Sequence, residues 1–253
     1  MNAATRWAET DRERLAALAG EALVVLPIGS TEQHGPHLPT GTDALLAATV
    51  AERAADQAAE TSPRPIVLAP PLPYGCSDHH LPFGGTLSVS TQTLTAVLTE
   101  VIRSAVAGGV RRLVIVNGHG GNTGVCHAAA STAAAHHPIA VAHVDYWRLV
   151  EPRDAATAQV SDIGPPVPGH AGAFETALVM AVRPDLVRPA PQRDSPPAPP
   201  APPGLELHDA TAWSSIDGYT DLPHRATSAD GHARLDAVIT ALAERLVLLA
   251  RTL

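Results

Sequence analysis

The amino-acid sequence predicts an α/β fold with a mostly parallel sheet and helices on both faces. Short apolar runs alternate with longer, alanine-rich segments over residues 7–145, which is the pattern of strands followed by helices. The strongest runs, such as ALVVLPI, are apolar throughout. Such continuous runs are typical of strands that are buried on both faces, and alternation with helices favours parallel pairing.

Each predicted element follows from a local pattern. Strands are predicted at residues 22–28, 65–69, 112–116 and 139–145, with a shorter one at 87–89. Helices are predicted at residues 7–18, 44–57, 91–107, 122 or 123 to 135, 171–182 and 228–253, and a Ser or Thr cap precedes the third of them.

Less regular segments complete the predicted architecture. Residues 150–168 have the composition of a polar loop, and residues 188–204 form a proline-rich loop that we expect to be extended. This loop could bind a partner, but an irregular surface loop is the simpler interpretation. No internal repeat or sharp linker divides the sequence, so a single domain over residues 1–253 is expected.

Charge and composition exclude several classes of function. The formal net charge is −8 and no basic run is present, so we expect no nucleic-acid surface and no membrane surface as partner. No apolar stretch reaches the length of a membrane span, and the N-terminus lacks a signal-peptide pattern. Cys76 and Cys126 lack the spacing of a structural zinc site. A cytoplasmic protein is therefore expected.

Histidine is unusually frequent, with 13 residues against 17 Lys and Arg together. Glu32 and His34 follow the first strong strand, and Asp43 lies nine residues beyond His34. In an extended segment, residues two apart point the same way, so Glu32 and His34 can reach one metal ion or two adjacent ions. Carboxylates and imidazole suit zinc or manganese. Taken alone, this pair is weak evidence, because Glu and His often occur together on surfaces.

Two later segments strengthen the prediction of a metal site. His119 follows the 112–116 strand among glycines, which allow close backbone approach; a tight strand-to-helix turn would need the same glycines. His170 lies near a helix start, and Glu175 follows in an apolar context. A buried carboxylate there would need a cation or another partner, whereas an exposed one would not. In open parallel sheets, ligands bind at the carboxyl ends of the strands, where we expect these loops to meet.

Four segments together resemble the signature segments of the creatininase (creatinine amidohydrolase) family, in the same order and spacing. They are GSTEQHGPHLPTGTD, YGCSDHHLPFGGTLS, VNGHGGNTG and GHAGAFETALVM. The resemblance implies a three-layer αβα sandwich with a binuclear zinc or manganese site, usually in a homohexamer. It also implies a metal-dependent amidohydrolase in which a metal-activated water cleaves a C–N bond of a cyclic amide, a formamide or a short peptide.

The resemblance carries over to individual metal ligands. It implies that Glu32 and His119 bind one metal ion, that His34 binds the other, and that Asp43 bridges both. Creatininase has a glutamate two residues after the histidine that matches His119, but this sequence has Gly121 there. We expect Glu175 to supply the missing carboxylate, as the fifth ligand.

The resemblance also identifies His170, together with Glu175, as a catalytic residue. His170 matches the histidine that transfers a proton to the leaving nitrogen, a role that suits an imidazole; its alternative role is to cap the helix that carries Glu175. Further polar residues at the same edge have open roles: His37, Asp78, His79, His80 and Asn122.

Substrate identity is not decided by the motifs. Creatininase has a tryptophan four residues before the histidine that matches His170, where this sequence has Pro166. We therefore expect creatinine to be a poor substrate, although Trp147 or Trp213 could enter the pocket from elsewhere. A peptidase that trims a ribosomal peptide, as in mycofactocin maturation, is an alternative. The motifs are also compatible with a non-catalytic metal-binding scaffold and with a metal-dependent isomerase or lyase.

Overall fold

Five parallel strands form one sheet, in the order β1-β3-β2-β4-β5. The computed structural model describes residues 3–150, 169–194 and 209–253. The strands are β1 Thr5–Arg6, β2 Leu23–Ile28, β3 Ile66–Leu68, β4 Arg112–Asn117 and β5 Ala140–Asp145. The register places Ile28 opposite Asn117 and Asn117 opposite Asp145. The carboxyl ends of the three longest strands therefore meet at one edge.

Helices cover both faces of the sheet, as predicted. They are α1 Arg12–Ala19, α2 Thr42–Ala59, α3 Thr91–Ala107, α4 Thr123–His136, α5 Ala173–Val182, α6 Ala210–Ser215 and α7 Ser228–Thr252. Three of them begin with side-chain caps, since Asp11, Ser90 and Thr227 accept hydrogen bonds from first-turn amides. Each such cap typically contributes about 1 kcal/mol. None of these helices combines the length and apolarity that a membrane crossing requires.

The core has two halves, one on each face of the sheet. Leu23 and Val25 of β2 pack into the half formed with α2, α5 and α7. Val24, Leu26 and Ile28 pack into the half formed with α3 and α4. Side chains of β2 thus alternate between two apolar layers, which explains its uninterrupted apolar run. The predicted three-layer αβα architecture is confirmed.

Several elements differ locally from the predicted ones. The helix expected at residues 7–18 divides into a 3-10 turn, Trp7–Glu9, and α1, because Asp11 caps α1. The prediction of a strand at residues 87–89 was wrong. Leu87 forms only an isolated bridge, and the Val89 amide donates to the Gly75 carbonyl in a loop. Helix α5 begins at Ala173 rather than at 171, and the two-residue strand β1 was not expected. Val150, where the predicted polar loop begins, ends a 3-10 turn, Tyr146–Val150. Residues 151–168 of that predicted loop and residues 195–204 of the predicted proline-rich loop lie outside the described residues.

Candidate metal centre

The candidate site lies where β2 and β4 end and α2 begins. Glu32 and His34 follow β2, His119 follows β4, and Asp43 is in the first turn of α2. Close approach of α2 depends on glycine: a Cβ at Gly29 would overlap the backbone of residues 43 and 44, and one at Gly118 would meet the Asp43 carbonyl at 2.8 Å. The sheet edge and these contacts bring distant residues of the sequence to one point.

All five predicted ligands are neighbours. Asp43 stands between two imidazoles, with its Oδ1 3.0 Å from Nε2 of His34 and its Oδ2 3.1 Å from Nδ1 of His119. Oε1 of Glu32 is 3.3 Å from the same His119 nitrogen. Glu175 approaches from α5, with its Oε2 3.8 Å from Nε2 of His34. The ligand assignment itself remains a prediction, although the structure places these side chains in one cluster.

Three carboxylates are buried in this cluster. Glu32, Asp43 and Glu175 have exposed fractions of 0%, 2% and 9%. Both carboxylate oxygens of Glu32 and Oδ2 of Asp43 have no hydrogen-bond partner among the described residues. In the part of the chain that the structure describes, the ion pairs of these three carboxylates are all with histidines. Burying so much negative charge is costly unless cations compensate for it.

The pKa shifts of the histidines and carboxylates in this cluster reflect the buried negative charge. Burial alone would lower the pKa values of His34 and His119, but the neighbouring carboxylates outweigh it and raise both pKa values well above the usual value. The two imidazoles conversely hold the pKa of Asp43 low, despite its burial. Burial raises the pKa of Glu175, and His34 offsets part of that rise. The cluster therefore favours cationic occupants.

Both central histidines are oriented by backbone carbonyls. Nδ1 of His34 is 3.1 Å from the Glu32 carbonyl oxygen, and Nε2 of His119 is 3.0 Å from the Cys76 carbonyl oxygen. A carbonyl can only accept, so in the neutral imidazole the proton lies on the nitrogen facing it. The other nitrogen of each ring then presents its lone pair to the carboxylates. This orientation is typical of metal-binding histidines.

A second network holds the loop that carries His119. The side-chain amide of Asn117 accepts from the His119 amide and donates to the His119 carbonyl, at 3.1 and 2.7 Å. It also donates to Oδ1 of Asp145 at the end of β5. Thr123 donates to the same carboxylate. Residues at the ends of β4 and β5 therefore fix the backbone on both sides of the His119 ring.

Helix α5 begins in a way that directs Glu175 inward. Ala171 adopts a left-handed backbone with φ of 49°, and its amide donates to Oε2 of Glu175 at 2.6 Å. A Cβ at Gly172 would overlap the Asp221 carboxylate, which accepts from the Ala173 amide. The start of α5 is thus fixed from two sides, and Glu175 faces the cluster rather than solvent.

His170 and His79 extend the set of groups that could bind an ion. Nδ1 of His170 is 3.3 Å from Oε1 of Glu32, and the ring centroids of His170 and His34 are 4.3 Å apart. Among the described residues, three combinations of ligand atoms are close enough to share an ion: Glu32–His79–His119, Glu32–His34–His170 and His34–Asp43–Glu175. Two neighbouring ions are therefore compatible with the donor positions.

The other residues with open roles separate into two groups. Nε2 of His37 forms a hydrogen bond with Oγ1 of Thr176. Burial lowers the pKa of His37 to about 4. Asn122 joins the Gly29 carbonyl to the Cys76 amide. These residues support the loops, whereas His80 reaches the cluster, with its Nε2 3.6 Å from Oε1 of Glu32. Asp78 is exposed and accepts from Ser88.

An aromatic side chain from the C-terminal part of the chain completes the site. The indole of Trp213 on α6 lies 4.7, 5.4 and 5.5 Å from the rings of His80, His170 and His79, respectively. The sequence offered no motif around Trp213 that would place it there. Trp147, by contrast, packs edge-on against Tyr146 beside the core.

Gly121 offers a sharp test of the site, because no side chain fits there. A Cβ at this position would overlap the Cys76 carbonyl oxygen and the His119 ring, whereas one at Gly120 would meet nothing within 4 Å. We expect Gly121→Ala to displace His119 and to weaken binding of zinc by about 10-fold or more. Gly120→Ala should bind zinc like the wild type. Equal zinc affinity of the two variants, measured by calorimetry, would contradict this packing.

The fold and the cluster define a class: a parallel α/β protein with a histidine–carboxylate centre at the carboxyl ends of its strands. The family model for creatininase (creatinine amidohydrolase) matches residues 6–246. The chain therefore belongs to the creatininase family of amidohydrolases, which confirms the resemblance seen in the four sequence segments.

Individual relatives support this membership. A mycofactocin precursor peptide peptidase of Mycolicibacterium smegmatis is 41% identical over 165 residues, which cover 65% of this chain and 60% of that protein. The protein of the same name from Mycobacterium tuberculosis (strain H37Rv) is 36% identical over 226 residues, covering 85% and 81%.

Solved structures show the same fold. A crystal structure of creatinine amidohydrolase superposes with a TM-score of 0.81 at 29% identity, covering 96% of each chain. A manganese creatininase and a Zn–Zn creatininase mutant superpose with TM-scores of 0.80 and 0.77, at 26% and 27% identity.

Proposed function

We propose that this chain is a metal-dependent amidohydrolase that cleaves a C–N bond in a small amide or short peptide. The observation that carries the proposal is the group of buried, unpartnered carboxylate oxygens on Glu32 and Asp43, which face two imidazoles oriented by backbone carbonyls. A divalent cation would bind these oxygen and nitrogen atoms together and compensate for the buried negative charge. Zinc and manganese suit mixed carboxylate and imidazole ligands, and both metals occur in the solved creatininases.

The proposed ligands follow the geometry of the cluster. Asp43 lies between His34 and His119, so its two oxygens can serve two ions. Glu32 accompanies His119, and Glu175 accompanies His34. Bound divalent ions would supply a nucleophile from water at neutral pH and polarise the scissile carbonyl.

His170 is the proposed proton carrier. Burial and the neighbouring rings of His34 and His80 lower its pKa well below the usual value, which keeps its imidazole neutral. Its ring also lies beside that of Trp213, which helps to exclude water from the site. The assembly as a homohexamer, the single domain over residues 1–253 and the cytoplasmic location remain predictions.

A short peptide is the favoured substrate. The two relatives described above, with identities of 41% and 36%, are mycofactocin precursor peptide peptidases. A cyclic amide or a formamide is the second candidate, since the chain also resembles creatininase over 96% of its length. Pro166, on which the expectation for creatinine depends, lies outside the described residues.

Zinc- and manganese-loaded protein assayed with short peptides, lactams, formamides and creatinine tests the proposal. We expect at least one peptide or amide to be hydrolysed with incorporation of solvent ¹⁸O, and we expect kcat/KM for creatinine to stay below about 10⁴ M⁻¹s⁻¹, the low end for ordinary enzymes. Metal-free protein is the control and should be inactive. Turnover without solvent oxygen in the product would indicate an isomerase or lyase instead.

A further inference from the structure

The side chain of Gln33 connects parts of the site that are distant in sequence. Gln33 is buried, and in the sequence it lies between the proposed ligands Glu32 and His34. Its Nε2 lies 2.7 Å from the Gly218 carbonyl oxygen, 2.9 Å from Nδ1 of His80 and 3.1 Å from Nε2 of His170. One amide therefore touches two histidines of the site and the turn that follows α6.

Hydrogen-bond chemistry fixes the orientation of this amide. The Gly35 peptide N–H can only donate, and it lies 2.9 Å from Oε1 of Gln33. The Gly218 carbonyl can only accept, and it lies beside Nε2. Both contacts demand the same orientation. Since one amide hydrogen goes to Gly218, a single hydrogen on Nε2 is left for the two imidazoles.

A third contact decides which imidazole receives the remaining hydrogen of the Gln33 side-chain amide. Nε2 of His170 is 2.7 Å from the backbone carbonyl oxygen of Gln33, which can only accept. Nε2 of His170 must therefore carry a hydrogen, and it cannot accept one from the amide. The remaining amide hydrogen goes to Nδ1 of His80. Neutral His80 then carries its own hydrogen on Nε2, on the side of Glu32.

The ring of His170 is left with one unprotonated nitrogen. Its Nδ1 lies 3.3 Å from Oε1 of Glu32, at the edge of the cluster. Two acceptors at that separation need a proton or a cation between them. The nitrogen that can exchange a proton at the site is thus Nδ1, and Nε2 serves as the anchor.

We infer that Gln33 is a positioning residue that sets the tautomers of His80 and His170 and joins them to the turn that follows α6, the helix that bears Trp213. Its backbone carbonyl holds His170, and its side-chain amide holds His80 and Gly218. The effect on turnover rests on the proposed amidohydrolase function. The tautomers themselves are a property of the folded, metal-loaded protein and can be observed without any substrate.

Histidine ¹⁵N NMR on the zinc-loaded protein tests the tautomers, since zinc is diamagnetic. In the wild type we expect unprotonated Nδ1 and protonated Nε2 for both rings, assigned with His80→Gln and His170→Gln spectra. In Gln33→Glu the carboxylate has no hydrogen to donate, so His80 should switch to protonated Nδ1. Gln92→Glu adds the same charge at an exposed position of α3 and should leave the spectrum unchanged.

Kinetics of a neutral variant test the positioning role. Gln33→Met keeps the backbone carbonyl but removes every side-chain hydrogen bond. We expect wild-type zinc content and a kcat lower by about 10–100-fold, the usual cost of losing such support, while Gln92→Met stays at the wild-type rate. Identical tautomers in the wild type and Gln33→Glu, or an unchanged kcat in Gln33→Met, would overturn the inference. A wild type that hydrolyses no substrate would instead contradict the proposed function, and the NMR result would still decide the tautomers.

Discussion

Replacing Asp43 by asparagine is expected to remove most of the bound divalent metal and with it the hydrolytic activity. The variant preserves the shape of the side chain, but it takes one negative charge from between His34 and His119. Because one carboxylate is proposed to serve two ions, both should be weakened together. Loss of a group that merely supports a ligand costs 10–100-fold in metal affinity, so the loss here should exceed about 100-fold.

Elemental analysis of protein purified with added zinc provides the measurement for Asp43→Asn. Asp236→Asn on the exposed side of α7 is the matched control and should retain full metal content. Because His34 and His119 hold the pKa of Asp43 low in the metal-free protein, loss of its charge removes a buried ion-pair partner from both imidazoles, and metal-free Asp43→Asn should unfold at a lower urea concentration than metal-free wild type. An unchanged metal content in the variant would exclude Asp43 as a bridging ligand.

Substitutions of His170 and Glu175 should separate catalysis from metal binding. His170→Ala leaves the carboxylate cluster intact, so metal content should stay near wild type, while kcat falls by about 10²–10⁴-fold, as for loss of a general acid or base. Glu175→Gln removes a charge 3.8 Å from His34, so metal affinity should fall and activity should recover partly at high zinc concentration.

Metal titrations combined with steady-state kinetics distinguish the two variants. Glu100→Gln at an exposed position of α3 is the control for loss of one glutamate charge, and it should match wild type in both measurements. The reverse pattern, metal loss in His170→Ala and retention in Glu175→Gln, would require the two roles to be exchanged. Such an exchange is chemically meaningful, because His170, Glu32 and His34 also form a possible set of ligands.

The strands could be predicted from sequence because their signal is local. Each main strand is a short apolar run, and burial on both faces makes that run continuous, as in β2. The same logic predicted that Glu32 and His119 would meet, since parallel strands end at one edge. Strand β1 was missed because two residues carry too little pattern, and it exists only through its pairing with β3.

The outer part of the site could not be predicted, because it depends on contacts between distant segments. Trp213 reaches His80 only through the packing of α6 against the 3-10 turn at residues 78–83. Gln33 lies within a recognisable motif, but its side-chain hydrogen bond to the Gly218 carbonyl joins residues that are 185 positions apart. No spacing or periodicity encodes such a pairing, so the cluster of candidate ligands could be predicted, whereas the contacts of Gln33 and Trp213 could not.

The entirely parallel sheet has a consequence for the order in which this protein folds. Every strand pairing requires a crossover, and β1 pairs with β3 rather than with the strand that follows it. Contacts between such distant segments close large loops, which slows folding relative to proteins with local contacts. The centre also needs Glu175 of α5, which follows all five strands in the sequence. A two-ion centre that takes Glu32 for one ion and Glu175 for the other would therefore be complete only in a nearly complete fold, and its binding energy would stabilise that state over every earlier intermediate.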